Sequence, residues 1–137
     1  MKLTQIILIC FLVFCAWIGY TALNPLWQYA HLERNARNLV TGSELQAWAT
    51  NLLARDPEGT NLVKSNWGTD YPKQLDRLLP KNGPGVSVMG SGDTNSYVQV
   101  LWGSATMGHC GFAIGPTNFI FMGPGHAWQP GVYFFNL

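Results

Sequence analysis

Residues 97 to 115 read YVQVLWGSATMGHCGFAIG, two short apolar runs on either side of a turn rich in glycine and small residues. β-branched and aromatic side chains fill both runs, Tyr97 to Trp102 and His109 to Ile114, and glycine bounds each, which is the pattern of strands. The connection between them is too short for a helical crossover, so the two runs pair antiparallel. Working outward, VSVM at 86–89, FIFM at 119–122 and VYFF at 132–135 repeat the theme between glycine- and proline-bearing turns. Five strands in consecutive antiparallel order, a meander, are predicted from Val86 onward. In this reading GPGHAWQPG at 123–131 is a loop.

Upstream of the strands the punctuation is helical. TGSE at 41–44 offers a capping box, Thr41 with Glu44 or Ser43 with Gln46. Leu45, Trp48, Ala49, Leu52 and Leu53 follow at the i, i+3, i+4, i+7, i+8 spacing of a core-facing helix, closed by Arg55 and Asp56-Pro57. TDYPKQLDRLLP at 69–80 predicts a short helix capped by Thr69 or Asp70, presenting Leu75, Leu78 and Leu79, and stopped by Pro80. Further upstream, Asn24-Pro25 reads as a helix start with a run to about Val40. Tyr29, Leu32, Ala36 and Leu39 form its apolar stripe, and Glu33 and Arg37 pair across one turn on another face.

The first segment differs in kind. From Ile6 to Leu23 the chain reads IILICFLVFCAWIGYTAL without a charge, close to the roughly 20 residues that cross a bilayer as a helix. Trp17, Tyr20 and Trp27 gather toward its far end, where aromatic rings favour the lipid boundary, and Lys2 marks the near end as cytoplasmic. Residues 1–23 are therefore expected to be a transmembrane anchor or signal segment. The Tyr20-Thr21-Ala22 sequence puts a bulky ring where signal cleavage wants a small side chain, which favours a retained anchor. Residues 24–137 are then an extracytoplasmic α+β domain, with two to three amphipathic helices packed on the antiparallel sheet. The bilayer is the expected partner of residues 6–23.

Composition narrows the function. Charged residues make up 11% of the 137-residue chain, with a net charge of +1, against about one quarter charged in ordinary soluble domains. The eight basic residues are scattered, so no field exists to gather phosphates, and nucleic acid is not an expected partner. No Asp, Glu, Lys or Arg follows Asp93. So silent a segment belongs, in that order of expectation, to a buried sheet, to a surface that meets another molecule or to an aggregation hazard.

Candidate chemistry centres on His109 and Cys110. As neighbours on a strand they face opposite ways, and the imidazole cannot take the proton of the adjacent thiol. Cys10 and Cys15 lie in the apolar run, so Cys110 is the sole thiol of the exported part and has no disulfide partner there. The small Gly111 and Ala113 beside His109 predict close packing on that face, by Trp48 or Trp102. A zinc site drawn from His31, Asp93, His109 and His126 lacks ligand spacing; no metal and no cofactor are expected. His126 and Trp128, in the glycine-proline loop, are the candidate ligand contacts.

Three resemblances add to this. GHCGFAIGPTNFIFM resembles the histidine strand and following hairpin of NlpC-type cell-wall endopeptidases, which would make His109 the base; their nucleophilic cysteine, upstream at a helix start, has no counterpart outside the apolar run. The order YPKQLDRLLP, VSV, YVQVLWG, GHCGFAIGP is similar to small uncharacterised bacterial single-span proteins with LPxxLxxLxP and GHxG segments, and brings no activity with it. An apolar helix running into an amphipathic one and then an antiparallel sheet resembles type IV pilins and pseudopilins, although the processing site of those proteins is absent before Ile6. The expected role is accordingly non-catalytic, binding or scaffolding a protein or cell-wall partner. A cell-wall peptide hydrolase and a pseudopilin-like subunit are the alternatives.

Overall fold

The computed structural model describes residues 2–57, 61–78, 83–90, 95–104 and 108–136, with all side chains among them except those at 22, 24–30, 104, 108 and 136. Leu79, Pro80 and Asp93 fall outside the described residues, as do the side chains of Trp27 and Tyr29. The chain forms two compact units, residues 1–32 and 33–137.

Helix α1 (Leu3–Leu39) is unbroken over 37 residues. Its window Leu3–Thr21, of mean hydropathy 2.2, is long and apolar enough to cross a membrane, a property that anchors and signal sequences share. The helix start expected at Asn24-Pro25 does not occur, because α1 runs straight through it. Proline deprives the Thr21 carbonyl of one donor, and a single missing bond does not end a helix that propagates on both sides. The Thr21 hydroxyl meanwhile donates to the carbonyls of Trp17 and Ile18, at 3.0 Å each.

The second unit contains the last turns of α1, helix α2 (Gly42–Arg55), 3₁₀ turns at Lys64–Asn66 and Lys73–Arg77, and five strands. These are β1 (Gly85–Met89), β2 (Tyr97–Ser104), β3 (Gly108–Ile114), β4 (Gly125–Gln129) and β5 (Val132–Asn136). The class is α+β with an all-antiparallel sheet, as the sequence pattern leads one to expect. Of the two capping boxes the chain forms Thr41 with Glu44: the Glu44 amide donates to Thr41 Oγ1 at 3.1 Å, and the Thr41 amide donates to Glu44 Oε2 at 2.7 Å. Leu45, Trp48, Ala49 and Leu52 are buried, while Leu53 is half-buried. At 73–77 the helix is a 3₁₀ turn whose N-cap is Pro72, with no side-chain cap from Thr69 or Asp70; Leu75 and Leu78 are buried there.

The sheet order is β1-β2-β3-β5-β4, so the meander holds for three strands and then departs. FIFM, expected as the fourth strand, lies over the sheet instead of within it. Phe119 closes a turn by donating its amide to Pro116 O at 2.8 Å, and its own carbonyl accepts from the Tyr133 hydroxyl at 3.1 Å. The alternation read as a strand is a chain pressing Phe119 and Phe121 onto the sheet while Ile120 and Met122 face outward. The fourth strand is GHAWQ, which was expected as a loop. It forms a hairpin with β5 through Pro130-Gly131, and Gly131 has φ 81°. Proline followed by glycine at positive φ is the signature of a type II turn.

Register sorts the side chains into two faces. Val86, Val88, Val98, Val100, Trp102, Cys110, Phe112, Ile114, Val132 and Phe134 share the face covered by helices, and all are buried. The other face carries Tyr97, Leu101, His109, Ala113, Tyr133 and Phe135, and the loop bearing Phe119 and Phe121 covers part of it.

Candidate functional site

His109 and Cys110 are successive residues of β3. Cys110 lies on the helix-covered face beside Trp102 and is 1% exposed, while His109 is half-buried on the opposite face. Burial pushes the Cys110 thiol up to about 12, far from the thiolate a nucleophile requires. His109 Nδ1 is a buried polar atom without a hydrogen-bond partner, as is Trp102 Nε1. Trp102 does not pack beside His109 as expected, since its register with Cys110 places it on the other face. Trp48 belongs to α2, which covers that same other face; its indole donates to Trp67 O at 2.7 Å. Gly111 owes its lack of a side chain to neither tryptophan: a Cβ there would collide with the backbone of Val100 on β2.

His126 and Trp128 are brought together, on edge strand β4 and on the helix-covered side. Their rings stand beside those of Phe134, at 5.9 Å from His126, and Phe112, at 5.8 Å from Trp128. Phe112 and Phe134 are themselves buried, so core aromatics back both candidates. What faces them is the last stretch of α1. Glu33 Oε2 lies 2.8 Å from His126 Nε2, and Glu33 Oε1 accepts from Arg37 Nε and Nη2 at 3.0 and 2.8 Å. The Arg37 guanidinium lies 5.2 Å from the centre of the Trp128 ring, within the range of a cation–π contact.

These four residues form a chain of three contacts: imidazole to carboxylate, carboxylate to guanidinium, guanidinium to indole. Partial burial raises the Glu33 pKa, yet the hydrogen bonds and positive charge supplied by His126 and Arg37 outweigh it and hold the carboxyl below the usual carboxylate range. The Glu33–Arg37 pair was legible from its spacing of four. Its coupling to His126 and Trp128 was not, because those residues lie about ninety positions away and were assigned to a loop.

Chemically the cluster is a clamp between a helix and an edge strand. A carboxylate orienting an imidazole is half of a nucleophile-activating set, but no hydroxyl or thiol among the described residues hydrogen-bonds to His126. No group of three or more His, Cys, Asp or Glu among the described residues could hold a metal ion. His109 and His126 point to opposite faces of the sheet, so one ion cannot take both. Compared with known proteins, the chain matches no family model, no curated protein and no solved structure at a significant level.

Proposed function

We propose that this protein is a single-span membrane protein whose extracytoplasmic domain has a non-catalytic role, holding or recognising a partner outside the cytoplasm. The observation that carries the reading is the separation of the Cys110 thiol from the His109 imidazole. Cys110 is buried and neutral on one face of the sheet while His109 occupies the other. The apolar window Leu3–Thr21 supports the anchor, and the Glu33–His126 clamp supports a rigid attachment of the last turns of α1 to the sheet.

The test uses the full chain with Cys10→Ser and Cys15→Ser, so that Cys110 is the one remaining thiol. A thiol-reactive probe should modify the folded protein slowly, at a rate unchanged by His109→Ala. Rapid, pH-dependent labelling that disappears with His109→Ala would instead establish an activated cysteine and a hydrolase.

A second reading, a pilus-like structural subunit, is favoured by one observation, the uninterrupted helix Leu3–Leu39 leading into an antiparallel sheet. The mass of the mature amino terminus separates the two. An intact apolar segment supports the anchor, and removal of only the first few residues supports the processed subunit.

A further inference from the structure

We draw no further inference here: the strongest candidate, the apolar surface patch that Ile120 and Met122 form on the loop at residues 118–123 beside a cavity of ≈ 630 Å³, carries none, because nothing in the structure shows what covers it.

Discussion

Phe112 joins the sheet core to the clamp, and Phe112→Ala is the substitution that tests the arrangement most severely. Its ring is 0% exposed and lies 5.5 Å from Trp102, 5.7 Å from Phe134 and 5.8 Å from Trp128. Removing a fully buried phenyl group costs about 3–5 kcal/mol in lost transfer energy and residual cavity. Against a domain stability of about 5–15 kcal/mol that is a large fraction. A loss of about 4 kcal/mol lowers the melting temperature by about 16–32 °C, at about 4–8 °C per kcal/mol for a domain of this size. Urea unfolding of the full chain in mild detergent, followed by near-ultraviolet circular dichroism, measures the change. Met122→Ala, at a side chain 92% exposed, is the control and should stay within about 0.5 kcal/mol. A Phe112→Ala cost below about 1 kcal/mol would refute the placement of this ring at the centre of the helix-covered face.

Gly131→Ala should destabilise by more than about 1 kcal/mol, since a side chain at positive φ is strained and the new Cβ would meet Gln46 Nε2 and Pro116 O at 2.5 Å; thermal unfolding measures it, and an unchanged midpoint would discount the type II turn. Acid titration of stability probes the clamp. Glu33 is held below its unfolded value near 4.3, so it contributes stability above about pH 4.3 that is lost as pH falls through the folded value. Glu33→Gln should therefore flatten the acid limb of the stability curve, by an amount typical of partly exposed pairs, about 0.2–1 kcal/mol, and an acid limb that coincides with that of the parent protein would count against the clamp.

Much of the architecture was legible in local patterns. Thr41 with Glu44, the Leu45–Trp48–Leu52 stripe and the pairing of YVQVLW with HCGFAI all follow from periods and caps that act within a few residues. The two misplacements share a cause. FIFM and GHAWQ compete for one position at the sheet edge, and apolarity favours the first. The edge position, however, requires backbone pairing, and the Pro130-Gly131 turn delivers GHAWQ to β5. That turn was present in the sequence as a hairpin signal between GHAWQ and VYFF. Its weight could be judged only once the aromatic rings of the FIFM segment had another surface to cover.

By itself the sequence determined the α+β class, the apolar segment and the opposed directions of residues 109 and 110, because helix period, strand pleat and hydropathy are local properties. Tertiary structure alone decided that β5 lies between β3 and β4, and that His126 and Trp128 meet Glu33 and Arg37. These outcomes depend on which distant segments fit together without leaving backbone groups unpaired or aromatic surface in water. That competition among long-range alternatives leaves no mark in the spacing of neighbouring residues.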